Sequence, residues 1–285
     1  MAIFTNQAQL SYNNGVVNSN VASGEIVEVL RATKTAVMDD YRRNDDVTYV
    51  ISIVNTGTVP FTGLQVQDDL GAYPFGDTTL YPLTYVDGSL LVYVNGVLQT
   101  AVPTVEAGPP LVVSGLTVPA GGNLVLVYEA EVNGFAPLSA DSTIVNTAVI
   151  SGGGLTTPIT VTEDIGTEQE PELSITKFVE PTTVSENGVL TYTFVIQNLG
   201  NTAATADDDV IVTDTFDPIL TALTVTLNGD VLSEAVYTYD ETTGRFSTDP
   251  SRITVPAATY TQDPVTGLWV ITPGVTVLTV TGTIG

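Results

Sequence analysis

The chain has 285 residues with no Cys and no His, and its 32 acidic and 7 basic residues give a formal net charge of −25. Disulfides, thiolate or imidazole metal sites, and Cys–His or Ser–His–Asp catalysis are therefore excluded. The charge disfavours nucleic acid and anionic membranes as partners, and no apolar run approaches the roughly 20 residues that a membrane helix needs.

The first residues, Met-Ala-Ile-Phe-Thr-Asn-Gln, contain neither the basic nor the apolar segment of a secretion signal. We expect either that a signal has been removed, or that the protein assembles where it is made and is released later.

Short alternating runs of β-branched and polar residues follow one another along the whole chain, for example 47–53 and 190–196. The steps Asn95-Gly96 and Asn228-Gly229 lie between such runs and predict tight hairpins. Since no amphipathic helix is evident, we predict an all-β protein made of two tandem immunoglobulin-like β-sandwiches.

Two copies of one pattern divide the chain, which predicts domain 1 at 25–160, a polar linker at 161–172 and domain 2 at 173–285. The matching segments are Thr33-Lys34 with Thr176-Lys177, Asn55–Gly57 with Asn198–Gly200, Val66–Asp68 with Val212–Asp214, and Leu124–Gly134 with Val275–Gly285.

The first copy continues into a closing strand around 143–151, and no counterpart follows Gly285 in the second. The N-terminal run Thr5–Ser11 instead resembles Val145–Ser151, with Asn, Ala, an aliphatic residue and Ser at matching positions. We therefore predict that domain 2 lacks its last strand and that segment 1–24 is a donor strand plus linker. The predicted donor residues are Phe4, Asn6, Ala8 and Leu10.

A sandwich without its closing strand exposes unpaired backbone groups and an apolar groove. If the donor strand of one subunit fills domain 2 of the next, the contact is heterologous and builds an open filament of identical subunits. The alternative is a strand that folds back onto its own domain 2 and gives a permuted monomer. We favour the filament, because fold-back requires the linker to span a whole domain.

The chain has only two lysines, Lys34 and Lys177, and both lie in the first strand of a repeat. A plain explanation is that each is a solvated lysine that protects a sheet edge from aggregation. The alternative is a spontaneous Lys–Asn isopeptide bond, because each repeat also offers an Asn and an acid. The candidate sets are Lys34, Asn146 and Asp68 within a subunit, with Asp69 as a substitute acid, and Lys177, Asn6 and Asp214 between subunits.

Burial would lower the lysine pKa and raise that of the acid. The neutral amine could then attack the Asn carbonyl carbon while the protonated acid donates to the developing oxyanion. Ammonia would leave and the crosslink would remain.

The Thr-Lys start, the Tyr-x-Val/Phe-x-Ile-x-Asn-x-Gly run, the Val-x-Asp strand and the closing Val-Asn-Thr-Ala-Val resemble a repeat of bacterial surface proteins, the immunoglobulin-like domain of unknown function eleven. The opening residues further resemble those of endospore appendage subunits from clostridial spore formers. This resemblance implies a fibre on a cell or spore surface and assembly inside the mother cell.

These features predict a structural subunit of a self-assembling extracellular or spore-surface fibre, not an enzyme, with no cofactor and no metal site. The alternative is a monomeric surface adhesin or carbohydrate-binding module. Filaments that form without any ligand would favour the first interpretation, and glycan binding by a monomer the second.

Overall fold

The computed structural model describes residues 2–101 and 103–285. Within these ranges every regular element is a β-strand except two 3-10 turns, Ala206–Asp208 and Glu234–Val236. The prediction of an all-β protein is confirmed. The described ranges contain no helix long and apolar enough to cross a membrane.

The N-terminal segment forms a long hairpin, which we call the arm (residues 2–26). Its first strand is made of β1 and β2 and its second of β3 and β4, with β1 antiparallel to β4 and β2 antiparallel to β3. Asn13 and Asn14 join the two halves with φ angles of 43° and 70°, as the twist of a tight hairpin requires. The strands are β1 (Ala2–Asn6), β2 (Gln9–Tyr12), β3 (Gly15–Asn18) and β4 (Ala22–Ile26).

The first repeat is a sandwich of two six-stranded sheets. The strands are β5 (Leu30–Ala36), β6 (Asp40–Tyr41), β7 (Asp46–Asn55), β8 (Phe61–Asp68), β9 (Tyr73–Phe75), β10 (Thr78–Leu80), β11 (Leu83–Tyr85), β12 (Leu91–Val94), β13 (Val97–Leu98), β14 (Thr104–Glu106), β15 (Leu111–Val118), β16 (Asn123–Val132), β17 (Thr143–Gly152) and β18 (Ile159–Thr167). One sheet has the order β13-β12-β16-β7-β5, with β11 also on β16, and the other β14-β15-β8-β17-β18-β6. The remaining two strands, β9 and β10, pair with each other in a separate two-stranded sheet. Buried and outward-facing residues alternate along β7, β16 and β17, as in a two-layer sandwich.

The second repeat has one large sheet and two small ones. Its strands are β19 (Leu173–Glu180), β20 (Val189–Asn198), β21 (Thr213–Thr215), β22 (Leu220–Leu227), β23 (Asp230–Val231), β24 (Tyr237–Asp240), β25 (Arg245–Thr248), β26 (Thr259–Gln262), β27 (Trp269–Thr272) and β28 (Gly274–Ile284). The sheet orders are β19-β20-β28-β22-β23, β21-β25-β24 and β26-β27. The core lies between the first two sheets and includes Phe194, Phe216, Phe246 and Val280.

The chain divides into two compact units. Unit 1 comprises the described residues up to Asp39, Asn44–Asn133 and Val145–Ile165. Unit 2 takes Asp40–Arg43, Gly134–Ile144 and Gly166–Gly285.

Both Asn-Gly hairpins predicted from the sequence are present. Asn95 and Gly96 join β12 to β13, and Asn228 and Gly229 join β22 to β23. All four residues have positive φ angles, between 49° and 91°, so the Asn-Gly pair is the sequence feature that sets each turn.

The Asn of each repeated Asn-x-Gly motif is buried and fixes a loop. The Asn55 amide donates to the carbonyl oxygens of Val59 and Pro119, at 2.8 and 3.0 Å, and accepts from the Gly57 N–H at 2.9 Å. Asn198 makes the corresponding bonds in the second repeat, to loops on both sides of β20. The repeated motif therefore has a structural cause.

One of the sequence matches is wrong by one residue. Leu126 pairs with Ile51, and Leu278 pairs with Phe194, which is the counterpart of Ile51 in the second repeat. Leu126 therefore corresponds to Leu278, whereas the match of Leu124–Gly134 to Val275–Gly285 placed it on Val277. A shift of one residue exchanges the faces of a strand, and indeed Val275 is exposed and Thr276 is buried.

Two predicted linkers are in fact strands. β18 covers the first part of the segment 161–172, because polar residues alternate there with Val161 and Ile165 on the inner side and so gave the sequence a linker-like composition. Residues 1–24 were predicted as one donor strand and a linker, but β3 and β4 occupy most of the supposed linker and pair with the donor strand.

Replacing Asn55 by Ala should lower the free energy of unfolding by about 2 to 3 kcal/mol, because three partly buried backbone groups lose the hydrogen bonds that this buried side chain makes. Urea denaturation would measure the change. The matched control is Thr58→Ala in the same loop, where the side chain is exposed; equal losses in both variants would contradict the assignment.

Candidate crosslinking site

Lys34 and Asp68 form a buried ion pair in unit 1. Lys34 lies on β5 and Asp68 at the end of β8, and their Nζ and Oδ2 atoms are 2.6 Å apart. The side chains are 0% and 1% exposed. The alternation of the strands causes this placement, because Leu30 and Lys34 face inward on β5 as Val66 and Asp68 do on β8.

The Asp68 carboxylate has further donors. The Tyr128 hydroxyl, on β16, donates to Oδ2, and the Leu70 N–H donates to Oδ1 at 3.0 Å. Asp69, considered from the sequence as a substitute acid, instead accepts from the backbone N–H groups of Gly71 and Thr147. Asp68, and not Asp69, is therefore the acid that forms the ion pair with Lys34.

Two tyrosines lie around the ion pair. The rings of Tyr49 and Tyr128 stack at 5.7 Å between centroids, and the Lys34 ammonium lies 4.8 Å from the centre of the Tyr49 ring. Such a cation over an aromatic face is attracted by the ring quadrupole. Neither tyrosine was singled out from the sequence, although the repetition of Tyr49 as Tyr192 was a usable signal.

Asn146, on β17, completes this cluster. Its side chain is fully buried and adjoins the hydroxyls of Tyr49 and Tyr128. Among the described residues, neither its Nδ2 nor its Oδ1 has a hydrogen-bond partner of normal geometry, and neither does the Tyr49 hydroxyl. A buried amide without such a partner is uncommon, which makes Asn146 a candidate functional residue.

Burial is the largest cause of the pKa shifts in this cluster. It lowers the pKa of Lys34, against the opposing effect of Asp68, and it raises the pKa values of Tyr49 and Tyr128. An amine with a lowered pKa is closer to its nucleophilic neutral form. The cluster thus contains an amine, a carboxylate and an amide, all of them buried in the sandwich core.

The second repeat contains a partial copy of the cluster that is open to solvent. Lys177 on β19 forms an ion pair with Asp214 on β21 and lies 4.5 Å from the centre of the Tyr192 ring. The Lys177 side chain is 40% exposed, against 0% for Lys34. Asn6, its predicted partner, lies exposed in the arm opposite Ala22.

The strand that carries Lys177 is uncovered. The inward residues of β5 correspond to Leu173, Ile175, Lys177 and Val179 on β19, where Leu173 is 39% exposed and its counterpart Leu30 only 5%. β17 and β18 supply the covering layer in unit 1. No counterpart of these two strands is present among the described residues of unit 2.

The sheet opposite β19 also has an open edge. β8 lies between β15 and β17 and pairs with both. Its counterpart β21 pairs only with β25 within the described residues, so its other edge is unpaired. The open edge and the exposed face of β19 together form what we call the acceptor groove (β19 and β21).

No protein-family model and no curated protein sequence matches the chain. Among solved structures, the major pilin subunit BcpA of Bacillus cereus is similar over 93% of this chain and 70% of its own, with 10% identity and a TM-score of 0.39. The pilus backbone protein RrgB of Streptococcus pneumoniae is similar over 86% of this chain and 55% of its own, with 12% identity and a TM-score of 0.36. The major pilin SpaD of Corynebacterium diphtheriae is similar over 58% of this chain and 42% of its own, with 15% identity and a TM-score of 0.36.

The chain thus spans less than two thirds of RrgB and of SpaD. At these identities and TM-scores the likenesses do not establish a function for the chain.

The lowered pKa of Lys34 should appear as a pH-dependent stability in a chain that cannot crosslink, such as Asn146→Ala. Between the lowered value and the ordinary 10.5, the folded state holds fewer protons than the unfolded state, so the free energy of unfolding rises with pH. Above about pH 10 the raised pKa values of Tyr49 and Tyr128 act in the opposite direction.

Urea titrations between pH 7 and 10 would measure this rise. The control chain carries Lys34→Met and Asp68→Leu in addition to Asn146→Ala, and it should lack the rise. Equal slopes in the two chains would show that Lys34 titrates normally.

Proposed function

We propose that the chain is a structural subunit of a self-assembling fibre, in which the arm of one copy fills the acceptor groove of the next. Lys–Asn isopeptide bonds then lock each subunit internally and each subunit to its neighbour. The observation that carries this proposal is the match between the exposed face of the arm and the buried face of β17.

That match is residue by residue. β17 turns Ile144, Asn146, Ala148 and Ile150 inward, and all four are buried. Along β1, the two residues that follow it and β2, the residues Phe4, Asn6, Ala8 and Leu10 recur at the same spacing of two. All four are exposed, Phe4 and Leu10 by 55% and 65%, so the arm carries the side chains that the acceptor groove needs.

The hairpin form of the arm strengthens the comparison. In unit 1 two adjacent strands, β17 and β18, cover the site, and the arm likewise has two adjacent strands. Val17 lies directly across from Leu10 and is exposed as well. The second strand therefore extends the apolar face of the first, and both strands dock together.

The pairing in unit 1 also gives a register for the contact between subunits. Ala148 lies opposite Asp68, so the equivalent Ala8 is expected opposite Asp214. Asn6 then stands two residues before Ala8, as Asn146 stands two before Ala148, on the same face of the strand. This register brings the Asn6 amide to Lys177.

Docking would also exclude water from Lys177, which unit 1 achieves with β17 and β18. Lys177 would then acquire the burial that lowers the pKa of Lys34. The crosslink between subunits would accordingly form only after the arm is seated.

The reaction releases one ammonia for each bond. The lysine transfers a proton to the aspartate, and its neutral Nζ attacks the Asn Cγ. The C–Nδ2 bond breaks, Nδ2 takes up the second proton that Nζ loses and leaves as ammonia, the aspartate keeps the first proton, and an amide joins the two side chains.

We place the proposed fibre on the surface of a cell or spore. The repeat motifs resemble the domain of unknown function eleven and clostridial spore appendages, which supports a fibre on a cell or spore surface. A chain whose arm occupies its own acceptor groove would be a monomer, and this outcome would favour the adhesin or carbohydrate-binding alternative.

Placing a charge on the apolar face of the arm should abolish assembly. In Leu10→Asp an ionised carboxylate would have to enter the acceptor groove, whereas Ser11→Asp adds the same charge on the opposite face of the strand. Electron microscopy and light scattering of both variants would measure fibre formation. Fibres from Leu10→Asp that match the wild type in number and length would contradict docking by the arm.

Replacing Asn6 by Ala should separate docking from crosslinking. Fibres should still form, because the apolar side chains remain, but they should dissociate to monomers in boiling detergent. The wild type should give a ladder of multimers that have each lost one ammonia per bond. A ladder of equal intensity from Asn6→Ala would rule out this residue as the partner of Lys177.

A further inference from the structure

We infer that the hydroxyl of Tyr49, and that of Tyr192 in the second repeat, donates the hydrogen bond that stabilises the oxyanion during isopeptide formation. Asp68 and Asp214 would then serve as proton acceptors for the lysines. This inference rests on the proposed crosslinking and assigns its catalytic groups differently from the sequence-based scheme, in which the acid donates to the oxyanion.

The bonding of Asp68 supports this division of roles. Its Oδ2 receives the Lys34 ammonium and the Tyr128 hydroxyl, and its Oδ1 receives the Leu70 N–H. Both carboxylate oxygens are therefore occupied, and neither is bonded to Asn146. Asp68 is placed to accept the lysine proton directly, across 2.6 Å.

Tyr49 is the remaining side chain that can donate a hydrogen bond to the Asn146 amide. Its hydroxyl is buried and adjoins that amide, which lowers the pKa of Tyr49 against the larger, opposing effect of burial. Within the described residues the hydroxyl has no hydrogen-bond partner of normal geometry. When Nζ attacks Cγ, the negative charge develops on Oδ1, and a donor that is already in place costs no reorganisation at that moment. Burial also raises the pKa of Tyr49, so the hydroxyl keeps the proton that it donates.

Tyr128 does not have the same role, although it also adjoins Asn146. Its hydroxyl is bonded to Asp68, which makes it a positioning residue for the acid. The second repeat agrees with this distinction. Val280 stands where Tyr128 stands in the first repeat, since Tyr128 pairs with Tyr49 and Val280 pairs with Tyr192.

Tyr192, by contrast, keeps the position of Tyr49 relative to the lysine. The Lys34 ammonium is 4.8 Å from the centre of the Tyr49 ring, and the Lys177 ammonium is 4.5 Å from that of Tyr192. The lysine, the acid and this tyrosine are thus common to both repeats, as expected if each has a chemical role.

The reaction stays balanced with these roles. Lys34 Nζ gives one proton to Asp68 and bonds to Asn146 Cγ, while Tyr49 donates a hydrogen bond to Oδ1 without losing its proton. Asp68 passes this proton to Nδ2 and takes up the second proton that Nζ loses, so that the C–Nδ2 bond breaks, Nδ2 leaves as ammonia and Asp68 ends protonated.

The rate of internal bond formation in the full chain would test this inference. Chains carrying Asn6→Ala, which leaves only the Lys34–Asn146 bond, are made by cell-free translation and quenched in hot detergent at intervals. Intact mass then gives the fraction that has lost one ammonia. Tyr49→Phe should slow the reaction by about 10²- to 10³-fold, the usual effect of removing one oxyanion donor.

Tyr85→Phe is the matched control, because its ring packs against Tyr128 but its hydroxyl accepts from the Leu90 N–H, away from the amide. Its rate should equal that of the parent. To separate chemistry from folding, urea midpoints are compared for Tyr49→Phe and its parent in a Lys34→Met background, where no bond can form. The midpoints should agree, while the pH at which the rate is half-maximal, which depends on Lys34, should not move.

Three outcomes would overturn the inference, and they are distinguishable. A parent chain that never loses ammonia would refute the crosslinking itself. A parent that reacts, with Tyr49→Phe reacting equally fast, would refute only the role of the tyrosine. A slow Tyr49→Phe whose midpoint falls enough to account for the lost rate would assign Tyr49 a structural role alone.

Discussion

The buried contact between Lys34 and Asp68 is the interaction on which the rest of unit 1 depends. A charged lysine that is buried away from water needs a carboxylate at hydrogen-bond distance to balance its charge. The carboxylate in turn needs hydrogen-bond donors of its own, which Tyr128 and Leu70 supply. Three strands, β5, β8 and β16, must therefore keep their register, and β17 must cover the pair. The unpaired Asn146 amide lies in the interior that these constraints create.

The two repeats differ chiefly in whether this interior is closed. Lys177 and Asp214 form the same ion pair, and Tyr192 lies beneath the lysine as Tyr49 does. Solvent reaches Lys177, however, because nothing in the described part of unit 2 takes the place of β17 and β18. The Lys34 side chain is 0% exposed and the Lys177 side chain 40%, and this difference shows how much a covering pair of strands shields the lysine from solvent.

Much of this could be predicted from the sequence, because strand alternation and Asn-Gly turns act locally. The strand content, both hairpins and the positions of Lys34 and Asp68 follow from such patterns. The one-residue error in β28 arose because Val and Thr alternate there with similar neighbours on both faces, and only pairing with Phe194 fixes the register. The roles of Tyr49 and Tyr128 depend on contacts between distant strands, which no local pattern reveals.

The arm belongs to unit 1 and the acceptor groove to unit 2, and this has a consequence for any fibre built by pairing them. Such a fibre is polar, with free arms at one end and empty grooves at the other. A protein that carried only a groove could cap or anchor the first end, and one that carried only an arm could do so at the second. Growth, attachment and termination could therefore be controlled independently, with no change in the subunit.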